Sequence, residues 1–142
     1  MDSPQYFSAL LDENPDVIIV ILGGNDFTNK SLLSDICDNS TAFYKILKEK
    51  LPNAKVFATQ VELRYYKARN RFGCPDALAY KKVTGYFNKY LKRLQYIDNL
   101  ICILGPNRLS NENLFKGDGV HLNEDGIQKL FDIIKCALIN LL

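Results

Sequence analysis

The six-residue apolar run at positions 17–22 constrains the fold more than any other stretch of the chain. It reads Val-Ile-Ile-Val-Ile-Leu, without alternation of polar and apolar side chains. Strands of this kind are covered on both faces, as in a parallel sheet that lies between helices. The run ends at Gly23 and Gly24, where the backbone can turn sharply. We therefore expect a buried parallel strand that opens into a loop.

Helical and strand-like segments alternate along the rest of the chain. Apolar residues at helical spacing predict helices at about 4–13, 32–51 (interrupted near 38–40), 76–94 and 123–141. Short apolar runs predict further strands at 55–59 and 100–104. Strands that alternate with helices imply right-handed crossovers and one parallel sheet with helices on both faces. We therefore expect a single α/β domain over residues 1–142.

The last predicted helix is amphipathic, and Asn123 is placed to cap its N-terminus. Its apolar face is predicted to contain Ile127, Leu130, Phe131, Ile134, Leu138 and Leu141. We expect this face to pack against the sheet.

Composition limits the partners and the location of the chain. The 18 basic and 16 acidic residues nearly balance, so there is no global signal for binding a polyanion. No run approaches the roughly 18 apolar residues of a membrane span, and the N-terminus lacks a secretory pattern, so we expect a soluble, cytoplasmic protein without membrane partners. Four isolated cysteines and a single histidine argue against a zinc site and predict free, buried thiols: Cys37, Cys74, Cys102 and Cys136.

Three side chains in two predicted loops have the chemistry of an acyl-transfer site. His121 suits a general base near neutral pH, and Asp118, three residues earlier, could fix its tautomer. Asn25, after the two glycines, could donate to an oxyanion. In a parallel sheet these loops lie at the same edge, so Asn25 and His121 can be close. The alternatives are a surface histidine, a turn at Asp118, and a strand-ending loop in which Asn25 or Asp26 caps the next element.

These two stretches resemble a known family. Residues 15–26, which end in Gly-Gly-Asn-Asp, look like block III of the SGNH (GDSL-type) hydrolases, and Asp-Gly-Val-His at 118–121 looks like their block V. The resemblance implies a flavodoxin-like α/β/α sandwich that acts on small esters without a metal or cofactor. It makes Asn25 an oxyanion donor, His121 the base and Asp118 its partner. It also implies substrate contacts from Gly23, Gly24, Asp26 and Arg64.

The chain departs from that family at the nucleophile. The family's serine follows a first strand, tens of residues before block III, whereas only 22 residues precede Gly23 here. Ser3 fits a helix cap rather than a nucleophile, and Ser110 and Cys74 do not lie in a strand-to-helix elbow. The resemblance therefore implies that the first two strands are missing and that the strand at 17–22 has lost its neighbour, leaving an apolar edge.

A basic stretch between Arg64 and Arg93 contains nine basic residues and one acid, Asp76, with tyrosines interleaved. This composition resembles a nucleic-acid surface, but a solvated helix face with half-buried tyrosines explains it more simply. In a hydrolase, residues 64–71 would line the substrate cleft and could favour an anionic acyl group.

The sequence leaves two hypotheses. The first is an incomplete SGNH-type esterase that is inactive as this chain because the serine is absent. The second is a non-catalytic pseudoenzyme or interaction module that uses the cleft or the basic 64–93 face to bind nucleic acid or another anionic partner.

Overall fold

The computed structural model describes residues 4–21, 32–60, 77–104 and 111–141. Within them lie, in chain order, helix α1 (Pro4–Glu13), strand β1 (Val17–Val20), helix α2 (Leu33–Lys50), strand β2 (Lys55–Ala58), helix α3 (Ala77–Tyr96), strand β3 (Cys102–Ile103), a 3₁₀ turn (Glu112–Leu114) and helix α4 (Glu124–Leu141). This order confirms the predicted α/β class.

The three strands form one parallel sheet in the order β1-β2-β3. Val17 pairs with Lys55 at the start of β1, and Phe57 pairs with Cys102. Hydrogen bonds extend the ladder beyond the strands, since the N–H of Thr59 donates to Val20 O at 3.0 Å and that of Leu104 donates to Ala58 O at 3.0 Å. β2 is therefore the central strand, as its buried Val56, Phe57 and Ala58 require.

The two faces of the sheet are covered unequally in the described part of the chain. Helices α1, α2 and α3 pack on one face, where thirteen buried residues form a cluster that includes Leu47, Leu91 and Leu94. On the other face α4 packs over a cluster of three buried residues, Phe57, Leu104 and Ile134. Alternate residues of β1 supply the two clusters, because neighbouring side chains in a strand point to opposite faces.

The predicted helix interruption near residues 38–40 is wrong. α2 runs unbroken from Leu33 to Lys50 because tertiary contacts hold this polar stretch in the helix. Ser40 is buried, and the hydroxyl of Tyr90 in α3 donates to Cys37 O at 2.6 Å and contacts Thr41 Oγ1. The bond to the Cys37 carbonyl joins the two helices at this point.

Two other predictions need correction. The apolar face of α4 buries Ile134, but Ile127 and Phe131 are 45% and 62% exposed, because the described residues place nothing over them. The described cysteines are not buried thiols: Cys102, which pairs with Phe57 on the less completely covered face of the sheet, and Cys136 on α4 are exposed, and Cys37 is half-buried. Partial burial and the neighbouring Asp38 raise the pKa of the Cys37 thiol. Cys74 lies outside the described residues.

A pair of phenylalanines tests this account of the core. Phe57 is 1% exposed and Phe131 is 62% exposed. We expect Phe57→Ala to lower the free energy of unfolding by about 3–5 kcal/mol, because it leaves a cavity between β2 and α4. Phe131→Ala, the matched control, should change it by no more than about 0.5 kcal/mol. Urea unfolding measures both, and equal losses would contradict the packing described. If Phe57→Ala does not fold, Phe57→Leu should show a smaller loss.

Candidate active site

His121 is held in a short hairpin between the 3₁₀ turn and α4. Phe115 and Leu122 form an antiparallel bridge, and the N–H of Lys116 donates to His121 O at 2.7 Å. The hairpin turns at Gly119, whose φ of 69° lies in the left-handed region that glycine tolerates. Phe115 is buried and anchors the first arm. The backbone of His121 is therefore fixed by bonds within the loop.

Asp118 accepts three hydrogen bonds at this turn. Its Oδ1 accepts from the backbone N–H of Val120 at 2.9 Å and of His121 at 3.0 Å. Its Oδ2 lies 2.6 Å from His121 Nδ1. The bond with the His121 side chain, followed by those from the two backbone N–H groups, lowers the pKa of the Asp118 carboxyl to about 2. The carboxylate is thus ionised throughout the neutral range. The turn at Asp118, one of the alternatives considered from the sequence, orients this carboxylate toward His121.

The Asp118 contact fixes which nitrogen of His121 is basic. A carboxylate can only accept a hydrogen bond, so in the neutral imidazole Nδ1 carries the proton. Nε2 then keeps its lone pair. The ring is 73% exposed and the Asp118 side chain 47% exposed, so solvent weakens their charge interaction. In this chain Asp118 therefore acts on His121 more through orientation than through charge.

Asn123 joins the hairpin to α4, a role beyond the predicted cap. Its Oδ1 accepts from the N–H of Gly126 at 2.9 Å, which confirms the cap. Its Nδ2 donates to Asn113 O at 2.7 Å and to Phe115 O at 3.3 Å. The Leu114 carbonyl approaches the backbone of Gly126 closely. Only glycine permits this contact, because a Cβ there would lie 2.1 Å from Leu114 O. The clamp was not predicted from the sequence; the glycine in the first turn after the Asn123 cap is the one signal that could have indicated it.

The structure tests only part of the predicted constellation. It brings Asp118 and His121 together, but the loops that carry Asn25 and the predicted substrate contacts lie outside the described residues: Gly23, Gly24, Asp26 and Arg64. The proximity of Asn25 to His121 stays a prediction. In the described part of the chain, no helix combines the length and apolar character needed to cross a membrane.

The tautomer of His121 can be read directly, because it is the only histidine in the chain. At alkaline pH, nitrogen NMR should show the proton of the neutral imidazole on Nδ1. Asp118→Asn should shift the population toward Nε2–H, because the new amide can donate to Nδ1.

Asp132→Asn is the control, since Asp132 accepts a bond from Gln128 on the exposed side of α4 and does not contact His121. A wild-type spectrum dominated by Nε2–H, or the same shift in the control, would overturn the assignment.

Comparisons with known proteins give the family and the fold. Residues 2–129 match the GDSL-like Lipase/Acylhydrolase family model, whereas no curated protein matches the chain. A structure described as a GDSL-like lipase from Parabacteroides merdae is 19% identical with a TM-score of 0.69, and the alignment covers 94% of this chain and 66% of that one. A carbohydrate esterase family 3 protein from Talaromyces cellulolyticus is 19% identical with a TM-score of 0.67, and the alignment covers 93% of this chain and 61% of that one.

A GDSL-like lipase from Bacteroides thetaiotaomicron is 20% identical, with a TM-score of 0.66 and coverage of 97% of this chain and 71% of that one. The chain therefore spans about two thirds of these proteins, and less than two thirds of the first two. The similarity in structure extends over nearly all of this chain and supports the α/β architecture described above. With the family match over residues 2–129, it follows that this chain belongs to the GDSL-like lipase/acylhydrolase family.

Proposed function

We propose that this chain carries the general-base half of an esterase site for small ester substrates. The observation that carries the proposal is the 2.6 Å contact between Asp118 Oδ2 and His121 Nδ1, which leaves Nε2 as an exposed, oriented base. Family membership supports ester hydrolysis as the reaction class. No metal or cofactor enters the proposal.

His121 would act twice in the reaction. Its Nε2 takes the proton of an attacking hydroxyl, Asp118 stabilises the imidazolium that forms, and the same proton then passes to the leaving alkoxide. Asn25 would donate its side-chain amide to the oxyanion, with Gly23, Gly24 and Asp26 shaping the loop around it. Arg64 would contact the substrate and favour an anionic acyl group.

We further propose that the nucleophilic serine lies outside residues 1–142, so that these residues form one part of a larger GDSL-like domain. The described residues contain no serine or cysteine within hydrogen-bonding distance of His121. Ser3, Cys74 and Ser110 lie outside the described residues, so the cap and loop roles expected from their sequence context stay predictions. As it stands, the chain would then be inactive toward esters.

Release of p-nitrophenol from p-nitrophenyl acetate tests this proposal. The 142-residue chain should hydrolyse the ester no faster than its His121→Ala variant. The chain extended through the in-frame coding sequence upstream of Met1 should be active, and His121→Ala should then lower kcat by about 10²–10⁴-fold.

Asp132→Ala, a change on the solvent side of α4, is the matched control and should leave kcat unchanged. Activity in the 142-residue chain that His121→Ala abolishes would show that the nucleophile lies within it. An extended chain that folds but does not hydrolyse the ester would refute the proposed esterase function.

A second candidate, a non-catalytic module that binds an anionic partner, is favoured by one observation on α3. The helix has five exposed basic residues and no acid from Ala77 to Tyr96: Lys81, Lys82, Lys89, Lys92 and Arg93. Tyr86 and Tyr96 are 52% and 77% exposed, and Lys89 Nζ lies 5.9 Å from the Tyr86 ring centroid. Exposed aromatic and basic groups together are typical of single-stranded nucleic-acid surfaces.

A labelled single-stranded 20-mer tests the second candidate. If α3 binds it, raising the salt from 50 to 200 mM should weaken binding at least about tenfold. Lys89→Glu with Lys92→Glu should weaken it further, whereas Lys129→Glu with Lys135→Glu on α4, the same change in net charge, should not. Absent or salt-insensitive binding removes this candidate.

A further inference from the structure

A cavity of about 200 Å³ lies at the end of the sheet where β2 and β3 begin. Its floor consists of buried core residues, Val56 and Phe57 of β2 and Ile101 just before β3. None of its lining residues belongs to the candidate active site, and the chain leaves β3 at the opposite end of the sheet on its way to the His121 hairpin. We name this space the basal cavity.

The basal cavity lies where β2 and β3 have not yet begun to pair. β2 pairs with β1 from Lys55 onward, whereas its pairing with β3 begins only at Phe57 and Cys102. The N–H of Lys55 donates to Asp16 O on the β1 side, and successive N–H groups of a strand point to opposite sides. The N–H of Val56 is therefore directed toward the β3 side, into the gap.

The Val56 N–H is a buried donor at the floor of the cavity. Val56 is 5% exposed, and no backbone carbonyl in the described part of the chain accepts its N–H. Buried backbone N–H groups are almost always paired in folded proteins. The basal cavity therefore contains a backbone donor that suits an acceptor atom of a ligand.

Two lysines line the cavity, and no acidic residue does. Lys48 lies in the last turn of α2, and Lys55 is the first residue of β2. A cation near a helix C-terminus is favoured by the helix dipole, which accounts for Lys48 but not for Lys55. Neither lysine forms an ion pair with a carboxylate of the described residues. The ammonium groups and the Val56 N–H together favour an anion.

The size and the floor of the cavity indicate what the anion carries. A volume of about 200 Å³ exceeds the roughly 150 Å³ of an apolar protein cavity that binds benzene. It equals roughly seven water molecules at about 30 Å³ each, so a ligand of about seven or eight non-hydrogen atoms fits. The side chains of Val56, Phe57, Leu100 and Ile101 suit an alkyl chain. Inorganic phosphate would use only the charges, and a neutral alcohol mainly the apolar floor.

We propose that the basal cavity is a binding site for a short aliphatic carboxylate. The carboxylate group binds Lys48, Lys55 and the N–H of Val56, and the alkyl chain lies on the apolar floor. The site does not depend on the proposed ester hydrolysis, because it uses no residue of the candidate active site.

Hexanoate tests the site through the thiol of Cys102. Cys102 lines the cavity and is exposed, and Cys136 on α4 is exposed outside it. At about ten times its Kd, hexanoate should slow the alkylation of Cys102 by iodoacetamide at least about fivefold, because the occupied site blocks the thiol. Cys136, read in the same mass spectrum, should be alkylated at an unchanged rate. The amide signal of Val56 should shift in the NMR spectrum over the same range of concentration.

Paired lysine variants test the recognition of the charge. Lys48→Gln with Lys55→Gln should raise the hexanoate concentration for half-protection at least about tenfold, because charge-assisted hydrogen bonds are lost. Lys45→Gln with Lys50→Gln makes the same change in net charge at exposed positions of α2 outside the cavity. This control should leave the half-protecting concentration within about twofold of the wild-type value. Hexanol and phosphate at the same concentration should not protect Cys102.

Four results would contradict the proposal. An unprotected Cys102 with an unshifted Val56 amide excludes the site. Equal protection by hexanol shows that the cavity accepts an alkyl chain without recognising the charge, and equal protection by phosphate shows an anion site without a place for the chain. An equal loss in both lysine pairs assigns the effect to net charge rather than to the cavity.

Discussion

The parallel pairing of β2 with a strand on each side is the constraint on which the other elements depend. β2 places Val56 and Ala58 in the cluster under α1, α2 and α3, and Phe57 in the cluster under α4. Because parallel strands are joined by crossovers, the helices that return the chain must also cover the sheet. The layering of the molecule is thus a consequence of this one strand and its two neighbours. In the described residues the two faces of this sheet are buried unequally.

The candidate site depends on local bonds rather than on the core. Asp118 and His121 are three residues apart and are held by the hairpin and by the Asn123 clamp, all within about ten residues of sequence. Such a unit needs the sheet only for its position. This explains how the base and its orienter can be well arranged although both side chains are exposed. Strong electrostatic assistance requires exclusion of water, which these residues do not provide by themselves.

Much of the fold was predictable from periodicity, and the differences have physical causes. The apolar run in β1 and the helical spacing in α2, α3 and α4 identified those elements, but strand ends were overestimated: β3 spans Cys102–Ile103 rather than 100–104. Apolar flanks of a strand look the same whether or not the backbone continues to pair. The unbroken α2 could not be predicted because its polar stretch is held by Tyr90, forty-nine residues from Thr41.

The site was predictable only where its geometry is local. The spacing of Asp118 and His121 indicated their contact, and the structure places them in that contact. The clamp by Asn123 was missed because its partners, Asn113 and Phe115, lie in a loop without periodicity. The exposure of Ile127 and Phe131 was also missed, since a hydrophobic pattern identifies the apolar face of a helix but does not show whether other residues bury it.

The close contact between Gly126 and the Leu114 carbonyl has a mechanical consequence. It seats the first turn of α4 directly on the hairpin that carries His121, and Asn123 bonds both. The position of α4 therefore helps to set the position of the hairpin, and with it that of the imidazole.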